Sequence, residues 1–359
     1  MAELPISGPR VSILIDTYNH ERFIEQAITS VLEQDFPASD REIIVVDDGS
    51  IDGTSEIVQR FVPQVRYIRK VNGGQGSAFN AGIPECKGEL VAFLDGDDWW
   101  DPSKLRRVVP LFATSPEVVM VGHGTVTVST DGSCHTDILS EGHRFSLRSM
   151  QGAMMFRLRK SFLGTRATVR ASVLRKILPV PESIRIEADE FVFTMAAAFG
   201  EVEILPEALF FYRLHDNNLY SQQSFNEANV MRKQKNIAQL AQSLAIRLKE
   251  VGVSEDVVQT VVHAVQVEAD HLRLSAGQGS SREMVKAELE MYRLLHSDAS
   301  WTHRLFKYAT LLPAYVIPPR FYCALRRSLV SNRWYLNTRK VFFPVPQLGH
   351  VKRLPRTGI

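Results

Sequence analysis

Asp95, Asp97 and Asp98 stand within four residues of one another. They directly follow the apolar run Leu90-Val91-Ala92-Phe93-Leu94 and directly precede Trp99-Trp100. Carboxylates this close raise one another's pKa. A divalent cation relieves that repulsion, and hard oxygen ligands suit Mg2+ or Mn2+. A solvated acidic turn at a strand end is the competing explanation. Three more polar clusters also follow short apolar runs: Asp16-Thr17-Tyr18-Asn19 after Val11 to Ile15, Asp47-Asp48-Gly49-Ser50 after Glu42 to Val46, and Asn72-Gly73-Gly74-Gln75-Gly76 after Val65 to Ile68.

Helical patterns separate these runs. Asn19 is expected to cap a helix carrying Phe23, Ala27, Ile28, Val31 and Leu32 at helical spacing. Asp52-Gly53-Thr54-Ser55 is expected to cap a second helix, Glu56 to Phe61. Asp101, as N-cap before Pro102, opens a third with Leu105, Val108, Val109 and Leu111 on its apolar side. Strand, polar turn and helix repeating at about 30 residues is the pattern of an open, mostly parallel α/β sheet. Ligands bind such sheets outside the carboxyl ends of the strands, where all four polar clusters fall. Four clusters on one sheet edge favour a binding site over a solvated turn. A Gly-x-Gly-x-x-Gly turn after the first strand and a Gly-x-x-x-x-Gly-Lys-Ser/Thr loop are both missing, so phosphate neutralisation is expected to fall to a metal on the acids.

Further along, Val118 to Gly122, Thr125 to Val128, Val202 to Leu205 and Ala208 to Phe211 read as separate strands. His123, His135 and His143 lack metal-ligand spacing and are expected to be solvated loop residues. The basic, apolar stretch Gln151 to Leu163, with Arg157, Arg159 and Lys160, is expected either to cover the sheet or to contact an anionic acceptor. Glu187, Asp189 and Glu190 open a helix with Phe191, Met195 and Ala198 on one face; acids there either complement the helix dipole or do chemistry.

Composition bounds the rest. The 359 residues exceed one average domain, and 45% of them are hydrophobic, enough for a sizeable core. Three widely spaced cysteines argue against a disulfide framework and fit a reducing compartment. No secretory leader pattern and no 18-residue apolar run is visible, so a cytoplasmic protein is expected. Eleven of the 42 basic residues fall in 301–359, where there is no Asp or Glu; the other 31 face 40 acidic residues, a net −9. An acidic body with a basic tail suggests an anionic contact for the tail. Tyr308, Tyr315, Phe321, Tyr322 and Trp334, mixed with cations and with Pro313, Pro318 and Pro319, suit either a peripheral contact with an anionic membrane or a homodimer surface. Nucleic acid is not expected, because the acidic body repels it. Helical periodicity from Ser224 to His296 places a helical appendage between body and tail, giving expected domains at 1–220, 221–300 and 301–359.

The sequence resembles family 2 glycosyltransferases, inverting nucleotide-sugar enzymes of the GT-A fold. The resemblance rests on Val11 to Asn19, on Val45-Val46-Asp47-Asp48-Gly49-Ser50 with Asp52-Gly53-Thr54, and on Leu94-Asp95-Gly96-Asp97-Asp98, and it covers about the first 110 residues. It implies a GT-A sheet flanked by helices, with a C-terminal helical appendage. It implies that Asp16, Thr17, Tyr18 and Asp48 hold the nucleobase, with Asn72 and Gly73 beside them and Asp95 near the ribose. Asp97 or Asp98 would bind Mn2+ or Mg2+, with His215, in a Tyr-Arg-x-His ending, as a further ligand or as a contact to the diphosphate. Asp189 would be the general base. The implied reaction moves a sugar, from a UDP-sugar first among donors, to a hydroxyl of a glycan or lipid-linked acceptor, with envelope polysaccharide synthesis at the inner face of the membrane as its setting. Three positions depart from the family pattern: Asp16 where Pro is frequent, Phe79 where Arg is common, and Ala188 where a Glu usually precedes the base. A nucleotide-sugar-binding scaffold and a nucleotidyltransferase on a related sheet are the alternatives.

Overall fold

A computed structural model describes residues 9–216, 218, 227–295 and 301–330. Its strands are β1 (Val11–Thr17), β2 (Arg41–Asp47), β3 (Arg66–Arg69), β4 (Leu90–Asp95), β5 (Trp99–Trp100), β6 (Val118–Val128), β7 (Cys134–Asp137), β8 (His143–Phe145), β9 (Thr168–Arg170) and β10 (Glu201–Arg213). They form one mixed sheet in the order β3-β2-β1-β4-β9-β6-β10-β5, with β7 beside β6 and β8 beside β10. β3, β2, β1 and β4 are mutually parallel. β9 runs antiparallel between β4 and β6, and β10 returns to parallel beside β6. The first half is therefore the parallel sheet the sequence pattern predicts, and the second half is mixed.

Helices α1 (Ile24–Leu32), α2 (Thr54–Gln59), α3 (Gln75–Gly82), α4 (Lys104–Thr114), α5 (Met150–Arg159), α6 (Ala171–Ile177) and α7 (Ala188–Ala197) accompany the sheet. Val11, Ile13 and Ile15 of β1 pack in a core with Ile24, Ala27, Ile28 and Val31 of α1 and with Leu105, Val108, Val109 and Phe112 of α4. The covered apolar stripe, more than intrinsic propensity, holds such short helices in place.

Several local expectations change. Asn19 is not a helix cap: its φ is 58°, its amide donates to Ser50 Oγ (2.9 Å), and its Oδ1 accepts from the Ile51 amide (2.9 Å). It clasps the loop after β1 to the loop after β2, and α1 begins only at Ile24. α2 begins two residues early, at Thr54, because Asp52 Oδ1 accepts from both the amide and the hydroxyl of Thr54. α4 begins late, at Lys104, because Asp101 closes a turn on the Ser103 amide and hydroxyl, with Pro102 inside that turn.

β6 is one strand where two were expected, and His123 lies buried in its middle instead of in solvent. Gly122 and Gly124 flank it; a Cβ on either would lie 2.5–2.6 Å from the Phe162 or Asp137 carbonyl oxygen, so the chain passes straight where a side chain would push it aside. Burial, with Lys104 and Arg166 nearby, holds the His123 imidazole well below its ordinary pKa and neutral. β10 is likewise one strand where Val202 to Leu205 and Ala208 to Phe211 were expected as two, and the step between Leu205 and Ala208 is a register shift that accommodates Pro206.

The first compact unit reaches Ala269, so the boundary expected at 220/221 falls instead at 269/270, within α9 (Glu255–Ser275). The reason lies in α8 (Glu227–Glu250). Its buried Asn236 accepts from the amides of Arg185 (2.9 Å) and Ile186 (3.2 Å) and donates back to the Ile186 carbonyl, and Arg247 donates to the Ile177 carbonyl (2.9 Å). These bonds make α8 part of the body. The second unit contains α10 (Ser281–Leu295), α11 (Trp301–Leu311) and α12 (Pro319–Val330). Its core joins Met284, Val285, Leu311, Ala314, Tyr322 and Cys323, and buried Glu288 pairs with His271, Lys307 and Arg326. No described helix is long and apolar enough to cross a membrane. Trp334, part of the expected membrane contact, lies outside the described residues.

Candidate active site

The carboxyl ends of β1, β2 and β4 bring the N-terminal polar clusters together. Register pairs Asp16 of β1 with Asp95 of β4, and Thr17 with Asp47. A cavity of about 1000 Å3 opens there, lined by Asp16, Thr17, Tyr18, Asp48, Asn72, Asp95, Asp97, Asp98 and Asp189 among others. Gly73 and His215 act from behind that lining. The Gly73 amide donates to Asp48 Oδ1 (2.9 Å), and His215 Nε2 lies 3.0 Å from Asp97 Oδ2.

Asp47 and Asp48 divide their duties. Asp47 accepts from the Ser50 amide (2.7 Å) and the Tyr67 hydroxyl (2.6 Å), which binds it into the fold. Asp48 faces the cavity and accepts from Lys70 Nζ (2.7 Å) and the Gly74 amide (2.6 Å), which draws the 72–74 loop over the end of β2. Gly74 has φ +87°, and a Cβ there would meet the Arg185 carbonyl at 2.3 Å, so only glycine fits. Phe79 is fully buried, edge-on to Phe93, and packs the core instead of reaching the cavity.

Ligand atoms of Asp95, Asp97 and Asp98 lie within 4.8 Å of one another, a set of hard oxygens that fits a divalent cation. Their titration differs. Burial, then the Asp97 charge, pushes Asp95 up to about 7, against the hydrogen bond from Thr165 (2.6 Å). Burial and the charges of Asp97 and Asp95 raise Asp98 well above the carboxylate range; its Oδ1 accepts from the Arg213 amide (2.8 Å). Burial also acts on Asp97, but His20 at 3.8 Å and His215 at 3.0 Å outweigh it and hold Asp97 below its ordinary value. Asp97 is thus the carboxylate kept ionised. Asp16 is raised well above its range, by burial first and then by Asp95, Asp189 and Asp97; its Oδ1 has no hydrogen-bond partner among the described residues. A group of acids that cannot all ionise together is what a cation would relieve.

Asp189 opens α7. Burial, then Asp95 and Glu190, raises it to about 7, with Arg166 opposing. Of its acidic neighbours, Glu187 pairs with Lys233 (3.1 Å) and Glu190 with Lys160 (2.6 Å), and Asp189 is in neither pair. A Cβ on Gly164 would stand 3.3 Å from Asp189 Oδ2, so the small residue keeps space beside that carboxylate.

Four functional residues escape sequence reasoning. Gln75 accepts at Oε1 from the amides of Ala188 (3.0 Å) and Asp189 (3.3 Å) and lies 3.4 Å from Asp95 Oδ1 through Nε2. It straps the start of α7 to the acidic cluster. His20 and Thr165 hold Asp97 and Asp95, and Arg166 supplies positive charge near Asp95, Asp98 and Asp189. Lys104 fixes that loop from the core: fully buried, it donates to the Arg166 carbonyl (2.8 Å) and lies 3.7 Å from the Trp100 ring centroid. Of these, Gln75 lies inside the 72–76 cluster and His20 directly follows the 16–19 cluster, whereas Thr165 and Arg166 left no local signal. Gln75→Ala frees two helix-start amides and is expected to lower stability by about 1–2 kcal/mol, as read from urea unfolding.

A mixed sheet of this order, with an acidic cluster after β4 and an acid at the start of α7, is a GT-A fold. Residues 12–178 match the model of glycosyl transferase family 2. The chain is 36% identical over 219 residues to an uncharacterized glycosyltransferase of Nostoc sp., covering 58% of this chain and 66% of that protein, just under two thirds of its length. Staphylococcus aureus TarS 1–349, solved in complex with UDP-GlcNAc, superposes with a TM-score of 0.57 at 17% identity, covering 89% of this chain and 92% of that one. The mannosyltransferase PcManGT from Pyrobaculum calidifontis, in complex with GDP-Man and Mn2+, superposes at 0.53 with 19% identity, covering 94% and 88%.

Proposed function

We propose that this protein transfers a sugar from a UDP-sugar to a hydroxyl of a glycan or lipid-linked acceptor by one displacement with inversion. The observation that carries this is a single cavity whose wall holds both the Asp95, Asp97, Asp98 cluster and Asp189. The 16–18 turn, Asp48 and the 72–74 loop receive the nucleoside. Asp95, Asp97 and Asp98, with His215 against Asp97, would hold Mn2+ or Mg2+. When bound, such a cation offsets charge on the diphosphate leaving group.

Asp189 takes the proton of the acceptor hydroxyl. The acceptor oxygen forms its bond to the anomeric carbon as the bond to the diphosphate oxygen breaks, and the leaving nucleoside diphosphate keeps that electron pair. One displacement inverts the configuration. Arg166, half-buried among the acids, adds fixed positive charge that needs no reorganisation during the reaction. At another part of the wall stand Arg185, Arg232 and Lys235, which fits an acceptor carrying phosphate, as a lipid-linked glycan does. The setting that accords with such an acceptor is the inner face of a membrane, in envelope polysaccharide synthesis.

The UDP-GlcNAc complex of the fold neighbour TarS supports a uridine donor. The test is a thermal-shift panel of UDP-, GDP- and dTDP-sugars, each with and without Mn2+. A UDP-sugar is expected to raise the melting temperature most, and only with the metal. A larger shift from a GDP-sugar would overturn the choice of base. Release of pyrophosphate instead of nucleoside diphosphate would overturn the reaction class.

A further inference from the structure

Sixteen large apolar side chains are exposed among the described residues, and eight of them lie between Trp301 and Leu325. This concentration does not look like the scattered exposure of a soluble surface. Trp301, Leu305, Tyr308 and Leu312 are 73%, 58%, 47% and 64% exposed. At 3.6 residues per turn their spacing of four, three and four places them on one narrow stripe along α11 and its end. Tyr315 and Val316 continue the exposed surface. The opposite side of the same segment is also apolar, because Leu311 and Ala314 are buried in the core of the second unit. A surface helix normally turns polar residues outward; this one has apolar residues on both sides. Glu288 meanwhile anchors Lys307 and Arg326 from within that unit, so α11 and α12 are braced from beneath while the stripe stays uncovered.

We propose that this stripe docks on an anionic lipid bilayer and lies in its interface. The charge pattern selects this occupant. Residues 301–330 carry five Lys or Arg and no Asp or Glu, so two copies joined through this face would bring together surfaces of like charge. Anionic headgroups instead attract it. Trp and Tyr beside cations are the composition of membrane interfaces. α11 has 11 residues, too few to span, which leaves the in-plane arrangement. The proposal does not depend on the donor or the acceptor of the transfer reaction, so either can fail alone.

The test uses the full chain with phosphatidylcholine vesicles, with and without 30% phosphatidylglycerol. Co-sedimentation is expected with the anionic vesicles, at least tenfold weaker with phosphatidylcholine alone, and weakened by 0.5 M salt. Leu305→Ser with Leu312→Ser is expected to cut vesicle binding at least tenfold at unchanged melting temperature. As a second readout, anionic vesicles should shift the tryptophan emission of the parent to the blue, and Trp301→Phe should lose that shift. Failure of the parent to bind anionic vesicles, or full binding by the double variant, would overturn the proposal. So would a dimer in analytical ultracentrifugation that the double substitution dissociates, which would assign the stripe to a second copy.

Discussion

Asp189→Asn is expected to bind Mn2+ and the nucleotide sugar as the parent does and to lose transfer by about 10²- to 10⁴-fold, the usual contribution of a positioned base. The substitution keeps shape and leaves the backbone amide of residue 189 on Gln75. It removes one of the charges that raise Asp16, so the acidic cluster is relieved and its affinity for the donor is not weakened by design of the variant. The measurement pairs donor affinity by calorimetry with turnover at saturating donor. Normal turnover would remove Asp189 as the base. The pH profile carries the same assignment. Burial, Asp95 and Glu190 lift this carboxyl to about 7, so the ionised form needed to accept a proton is lost as pH falls through 7. At saturating Mn2+ the rate should drop about tenfold per pH unit below that point, and the acid limb should vanish from the residual activity of Asp189→Asn.

Mn2+ is expected to raise the melting temperature more at pH 8 than at pH 6, and Asp97→Asn to lose most of that rise. Asp95 titrates near 7 in the folded chain and near 3.8 when unfolded. Between those values the folded protein holds a proton that the unfolded chain has released, so stability of the metal-free protein falls as pH rises through the window. Each unit of such a shift is worth about 1.4 kcal/mol. A cation competes with those protons, and its stabilisation therefore grows with pH. Asp97 leads because His20 and His215 keep it ionised, whereas Asp98 is raised by burial and tied to the Arg213 amide. The same variant should lose transfer by at least about 10²-fold, comparable to removing one strong electrostatic contact from a transition state. An Mn2+ shift that survives in Asp97→Asn and disappears in Asp98→Asn would reverse the assignment of the leading ligand.

Spacing along the chain was enough to place the parallel half of the sheet and its polar loops. Val11 to Ile15, Glu42 to Val46 and Leu90 to Leu94 are apolar on both faces, and a run of that kind with a polar turn after it has few other ways to fold. Asp16, Asp48, Asp95, Asp97 and Asp98 could therefore be placed at strand ends from their order, whereas Asp189, at a helix start where acids also complement the dipole, needed the family resemblance to stand out. The periodicity of Ile237, Leu240, Ala241, Leu244 and Leu248 marked the buried face of α8 in the same way. Tertiary structure decided what depends on partners far apart in the chain. Gln75 meets the start of α7 across 114 residues, and Asp97 meets His215 across 118. No local pattern encodes such pairings, because each residue's neighbours along the chain are indifferent to them. His123 looked like a loop residue until flanking glycines let β6 run straight through it, and α8 looked like an appendage until Asn236 bound it to the 185–186 backbone. The difference in protonation between Asp97 and Asp98 is of the same kind: adjacent and identical in type, they differ only in which distant groups burial brings against them.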